Sequence, residues 1–192
     1  MSCCLECFCE SGFSGQSLQK LVDEIHPNFV CESEKCSTFS PGPVVDDERI
    51  AFLLIDPLHY DAERSVVVPE AFQELINRDL STIRIAHASP SEANATREDL
   101  IQRGREKIPP KLRLVDEVCI ASVSEIRSTA DSSGRLLAVY DTGIDNAPAH
   151  ASVFTRSDVF NERRLRKVVR SRIHELFTKV RIPYNDFQKE LR

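Results

Sequence analysis

Seven cysteines and five histidines carry most of the chemistry this chain can offer. Cys4 and Cys7 are separated by two residues near the N-terminus, and Cys31 and Cys36 by four. Two close thiol pairs joined by a short helix suit zinc, which takes four soft ligands at tetrahedral corners, two from each knuckle. The expected metal site is therefore Cys4, Cys7, Cys31 and Cys36, with zinc as cofactor and with Cys3, Cys9 or His26 able to replace one ligand. The competing reading is a frayed terminus of unligated thiols with Cys31 and Cys36 at the surface; acylation of terminal cysteines is a third.

The histidines repeat a tetrapeptide. Ala86-His87-Ala88-Ser89 and Ala149-His150-Ala151-Ser152 each set an imidazole at the edge of a strand-like segment, flanked by small residues. Two such rings brought together can bind a metal or move protons near neutral pH. Either ring beside a thiolate makes the core of a Cys/His-dependent hydrolase or transferase. His87 and His150 are thus the candidate catalytic residues, although the match stops at the flanks and chance recurrence competes. Cys119 lies in an apolar run and reads as core. Asp141-Thr142-Gly143 matches the aspartic-protease triplet only as a string and reads as a turn. Asp56, His59, Tyr60 and Asp61 form a polar cluster that reads as a solvated turn. No Gly-rich phosphate loop, Gly-x-Ser-x-Gly elbow or His-Glu-x-x-His helix occurs.

A different chemistry is concentrated near the C-terminus. From Phe160 to Arg181, Leu165, Val168, Val169, Ile173, Leu176, Phe177 and Val180 recur at helical spacing and cover half of a helix. Arg163, Arg166, Lys167 and Arg170 gather beside them. Between Arg156 and Arg181 nine Lys/Arg face three acids; the residues after Arg181 balance, so those before Arg156 carry −11 within a chain of net charge −5. A cationic end on an anionic body is a docking arrangement. It suits a partner protein with an acidic surface, or, through the same four residues, the phosphates of a nucleic acid.

These residues need elements to hold them. A chain of 192 residues, 41% hydrophobic and 29% charged, can bury a core. Ser17–Ile25 reads as a short helix stopped by Pro27, and Ser40-Pro41-Gly42-Pro43 as a linker or a sharp turn. Ile50–Ile55 is a strand, Ser65–Val68 a β-branched run leading through Pro69 into a helix to about Arg78, and Ser81–Ala86 a half-buried strand. Ser91–Lys107 is helix-like with Ser89 or Ser91 as cap. Leu112–Ala121 suits a strand, Val123–Arg127 a helical turn, Asp131–Gly134 a turn, and Leu136–Tyr140 and Ala151–Thr155 strands. Ser157 or Asp158 caps the last helix. The expectation is an α+β fold: a mixed β-sheet with packed helices, a long amphipathic C-terminal helix and a small Cys-bearing N-terminal element. Residues 1–44 form that element, 45–182 the α+β domain and 183–192 a tail. No stretch approaches eighteen apolar residues, and the start lacks the basic and apolar regions of a secretory signal, so a cytoplasmic protein with no membrane span is expected.

Two segments resemble an uncharacterised family of small bacterial proteins. They are His26-Pro27-Asn28-Phe29-Val30, continuing through Phe39-Ser40-Pro41 to Asp46-Asp47, and Asn146-Ala147-Pro148-Ala149-His150-Ala151 followed by a closing amphipathic helix. The resemblance covers a third of the chain. It implies a setting among mobile-element or antiviral-defence-type genes and points to His26 and His150. The chain departs from the family pattern at Cys31 and Cys36, where uncharged polar residues are expected. The leading expectation is an intracellular bacterial accessory protein that acts by protein–protein binding.

Overall fold

The structure, a computed structural model, describes residues 3–10, 12, 14–61, 63 and 65–191. In chain order its elements are α1 (Cys3–Leu5), a π-helical turn Glu6–Glu10, α2 (Gly15–Ile25), a 3-10 segment Pro27–Ser33 and β1 (Arg49–Asp56). A 3-10 segment Pro69–Ile76 precedes β2 (Leu80–Arg84), α3 (Pro90–Arg105), β3 (Leu114–Ser122) and α4 (Val123–Arg127). The hairpin β4 (Ala130–Asp131) and β5 (Gly134–Arg135) leads to β6 (Leu137–Asp141) and β7 (His150–Thr155). A 3-10 turn Ser157–Phe160, α5 (Arg163–Thr178), β8 (Val180–Pro183) and α6 (Tyr184–Glu190) complete the chain.

The fold is α+β, as expected. Six strands form one sheet in the order β6-β7-β2-β1-β3-β8, and every ladder in it is antiparallel rather than mixed. β1 lies inside the sheet and is buried at every position from Ile50 to Ile55. That explains its unbroken apolar run, because a strand covered on both faces has no solvent side to alternate toward. Ile50, Phe52 and Leu54 pack with Phe72, Leu75, Val169, Ile173, Leu176 and Phe177, which places the Pro69–Ile76 segment and α5 on one face. Ala51, Leu53 and Ile55 pack with Ala93, Tyr184 and Phe187, which places α3 and α6 on the other.

On that second face, over β6 and β7, Leu18, Val22, Phe29, Cys31 and Cys36 pack with Ala138, Tyr140 and Phe154. The Cys-bearing element thus shares a core with the sheet. Glu32 fastens it: its carboxylate accepts from Val139 N at 2.5 Å and Arg127 Nε at 2.9 Å, and pairs with Arg135.

Several boundaries differ from the sequence expectation. In place of the expected tail at 183–192, the described residues 183–191 are structured: α6 follows β8 directly and buries Tyr184 and Phe187 against the sheet. Ser157 and Asp158 lie in their own 3-10 turn, so α5 starts later, with Glu162 at its N-cap. Ser89 does cap α3, accepting from Glu92 N at 3.1 Å. β2 is covered more fully than a half-buried strand, because Thr82 and Arg84 are buried as well as Ile83 and Ser81 alone in it is exposed. Among the described residues no helix is long and apolar enough to cross a membrane.

Candidate functional sites

The four proposed zinc ligands do not converge. Cys4 and Cys31 are joined in a disulfide with Cα atoms 5.5 Å apart. Cys36 turns elsewhere, its Sγ donating to Cys31 O at 3.2 Å and Glu34 O at 3.6 Å. Burial, with the Asp141 carboxylate beside it, pushes that thiol far above its ordinary pKa, which keeps it protonated and a poor nucleophile. Cys7 is buried and Cys9 exposed, with Cys9 Sγ 3.3 Å from Cys36 O; the Cys3 side chain lies outside the described residues. The reading of Cys31 and Cys36 as surface residues fails too, since both are fully buried. The donor atoms that do meet are those of Cys4, His26 and Cys31, all within 4.8 Å of one another, a group that can hold a metal. His26 Nε2 is buried without a hydrogen-bond partner.

The triplet at Asp141 is structural. Its carboxylate, 1% exposed, accepts from Cys36 N at 2.7 Å and from Ser40 Oγ, tying the loop after Pro27–Ser33 to the end of β6.

His87 and His150 occupy different settings. His87 lies in the turn after β2, its Nε2 3.8 Å from Glu48 Oε2. His150 opens β7 opposite Ile83. Its Nδ1 lies 2.9 Å from Thr142 Oγ1 and 3.1 Å from Thr142 O; Thr142 Oγ1 donates to Ser152 Oγ at 2.9 Å, and Ser152 Oγ to Asp79 Oδ2 at 2.7 Å. One proton assignment satisfies all three groups: His150 donates from Nδ1, which leaves Nε2 an acceptor. Burial lowers the pKa of the ring, and the Thr142 carbonyl and Asp79 carboxylate offset this in part. The partners of His150 are the hydroxyl and carbonyl of Thr142, with Ser152 and Asp79 behind them, not a thiol; the imidazole beside cysteine sulfurs is that of His26.

Cys119 is a core residue on β3 as expected, and burial pushes its pKa up to about 12.

The sequence places His59 in a solvated turn, and the structure makes it interior. It is 7% exposed, stacks on Phe52 with ring centroids 5.3 Å apart, and accepts the Ile55 backbone N–H on Nδ1 at 3.1 Å. The usable signal was its place directly after a fully apolar strand whose last backbone groups need partners once pairing ends.

The cations of α5 and of the residues just after it divide into two sets. Arg170 reaches Gln73 Oε1 at 2.7 Å and Glu70 at 3.3 Å; Arg172, Lys179 and Arg181 pair with Glu175, Glu125 and Glu117. Arg163, Arg164 and Lys167 are exposed and Arg166 half-buried, and among the described residues none of the four has a carboxylate partner. Arg163, Arg166, Lys167 and Arg170 line one shallow cavity of about 270 Å³ with Gln73 and Ile76. Val168 is 46% exposed, so the apolar face is narrower than the sequence periodicity suggests.

Comparison with known protein families, characterised proteins and solved structures finds no match to the chain.

Proposed function

We propose that this protein acts by binding, docking an acidic surface of a partner protein onto the first half of α5. The observation that carries this reading is the set of four cations, Arg163, Arg164, Arg166 and Lys167, with no carboxylate partner among the described residues, in a molecule that pairs its other α5 charges internally. Arg163 and Arg164 sit in the first turn of the helix, at the positive end of its dipole and with no acid in that turn, an arrangement that costs roughly 0.3–1 kcal/mol per charge rather than stabilising the fold. Exposed Val168 among them supplies the apolar contact that protein interfaces combine with arginine. A long nucleic acid would run past the patch onto the acidic body, whereas an acidic protein surface need match only these few charges.

The test is fluorescence anisotropy with two labelled probes, a glutamate-rich 20-residue peptide and a 20-nucleotide DNA, at low and physiological salt. The peptide is expected to bind more tightly than the DNA, and the triple variant Arg163→Glu, Arg166→Glu, Lys167→Glu to lose at least tenfold. Tighter binding of DNA would transfer the surface to nucleic acid; no binding of either probe at low salt removes the reading.

The N-terminal element supports a second assignment. With Cys4 and Cys31 reduced, their thiolates and His26 would hold a zinc ion, favoured by the orphaned Nε2 of His26. Metal analysis of protein purified under reducing conditions with zinc is expected to give one ion per chain, lost in His26→Ala. Equal zinc in that variant and in the wild type would remove His26 as a ligand.

A further inference from the structure

The sheet is split along its middle. β1 pairs with β3 over nearly its whole length, but with β2 only at Ile50 opposite Arg84 and Ala51 opposite Ile83. β2 pairs with β7 from Leu80 to Ile83. From Phe52 onward β1 and the first residues of β2 therefore diverge, and a cleft of about 620 Å³ opens between them. Its walls come from both faces of the sheet: Phe52 and Thr82 from one, Leu53, Ser81 and His150 from the other. That volume lies in the range of small-molecule sites, which are apolar pockets with a few convergent polar groups.

The polar groups here are not balanced. Four cations line the cleft, Arg78, Arg103, Lys107 and Arg113, against two acids, Glu70 and Glu74. Both acids are already engaged, Glu74 by Arg78 at 2.9 Å and Glu70 by Arg170 at 3.3 Å. Arg103 pairs with Asp99 at 2.6 Å. Arg113 donates to the Leu100 carbonyl at 3.2 Å, and among the described residues neither Arg113 nor Lys107 has a carboxylate partner.

Two imidazoles add directional contacts. Because His59 accepts the Ile55 N–H on Nδ1, its neutral ring carries the proton on Nε2 and donates from there. Burial, and next the charge of Arg113, hold it neutral, with a pKa pushed down to about 4. His150 offers the opposite polarity, an accepting Nε2.

We propose that the cleft between β1 and β2 is a binding site for a small amphiphilic anion, an apolar body seated on Phe52, Leu53, Ile55 and Leu100 with its carboxylate or phosphate held by Arg113, Lys107 and His59 Nε2–H. The apolar floor excludes free inorganic phosphate as the fitting ligand, and the two unpaired cations exclude a neutral one. This site is separate from the cysteine cluster and adjoins the α5 surface only at Gln73 and Glu70, the partners of Arg170.

The experiment is titration of the full chain with octanoate, octyl phosphate, inorganic phosphate and octanol, followed by NMR shifts of the His59 and His150 imidazoles and by calorimetry. Octanoate, octyl phosphate or both are expected to bind saturably and to shift the His59 ring; which of the two binds more tightly distinguishes a carboxylate from a phosphate head. Inorganic phosphate and octanol are expected to bind at least tenfold more weakly. Arg113→Gln should weaken the anion at least tenfold. Should its lost contact to Leu100 unfold that variant, Lys107→Gln, at an exposed position, is expected to weaken it about threefold. The proposal falls if neither amphiphile shifts His59 at millimolar concentration, if octanol binds as tightly as the anions, or if Lys107→Gln and Arg113→Gln bind like the wild type.

Discussion

Arginine does opposite work in the interior of the sheet and on the first half of α5. Arg84, 1% exposed, lays its guanidinium on Glu48 in two hydrogen bonds of 2.8 and 2.6 Å and donates to Gly42 O at 2.5 Å and Pro43 O at 3.1 Å. Arg127 does the same from the rim of the N-terminal element, reaching Glu32, Asp46 and two backbone carbonyls. A buried cation is tolerable only when its charge and its donors are met. Arg163, Arg164 and Lys167 sit in water, meet no carboxylate among the described residues and tie no segments together. The fold depends on the first set and carries the second without using it, which is what separates a structural charge from one kept for a partner.

The largest effect is expected at Arg84. Arg84→Ala leaves the Glu48 carboxylate buried with its main partner gone and should cost about 3–5 kcal/mol in urea unfolding. Replacing both members, Arg84→Met with Glu48→Met, should cost clearly less, since no lone charge remains. The pair also sets an acid limit. Burial pushes the Glu48 carboxyl up, but the Arg84 hydrogen bonds, the Val45 N–H and the guanidinium charge together hold it below its usual value. A depressed carboxylate adds stability above its unfolded pKa and loses it as pH falls through the folded one. A double variant no more stable than Arg84→Ala would break the account of Arg84 as a charge that exists to be paired.

Arg84 also marks where the sequence stops being readable. Strand and helix positions follow from periodicity, and the unbroken run of β1 announces a central strand. Alternation put Thr82 and Arg84 on a wet face, however, because nothing local to β2 reveals that Glu48 will lie against it. His59 is hidden for the same reason: a polar cluster after a strand looks solvated until Phe52 and the chain leading into the Pro69–Ile76 segment are placed against it. The disulfide joins residues 27 apart, and close cysteine pairs in sequence pointed instead to neighbours as co-ligands. Local patterns specify elements; long-range charge pairing and the split between β1 and β2 are tertiary facts.

His59 sharpens the comparison, being a buried ionisable group with no acid to pair with. Burial and the Arg113 charge push its pKa down to about 4, so it stays neutral where Arg84 stays charged. Its sign is the reverse of a paired histidine: below about pH 6.5 the unfolded chain takes up a proton that the folded one refuses. Stability should fall by up to about 1.4 kcal/mol per pH unit, roughly 3 kcal/mol in all by pH 4. His59→Asn keeps an acceptor near Nδ1 and should remove that part of the slope; His150, lowered in the same direction, would leave the remainder. An unchanged slope would mean that the cleft is wet enough to charge the ring.

The smallest effect is expected on α5, and its sign decides the comparison. Arg163→Gln and Arg164→Gln remove cations from the first turn, at the positive end of the helix dipole where no acid stands, and Lys167→Gln removes one from the turn that follows. Each should leave stability unchanged or raise it by roughly 0.3–1 kcal/mol at low salt. The gain should shrink at 0.5 M salt, because these charges are exposed and screened. Thermal melts of the single and triple variants at the two salt concentrations measure this. A loss of more than about 1 kcal/mol in any single variant, well beyond the usual range for surface substitutions, would show that the cation has a structural partner. The first half of α5 would then belong with Arg84, as part of the fold rather than a surface held open for another molecule.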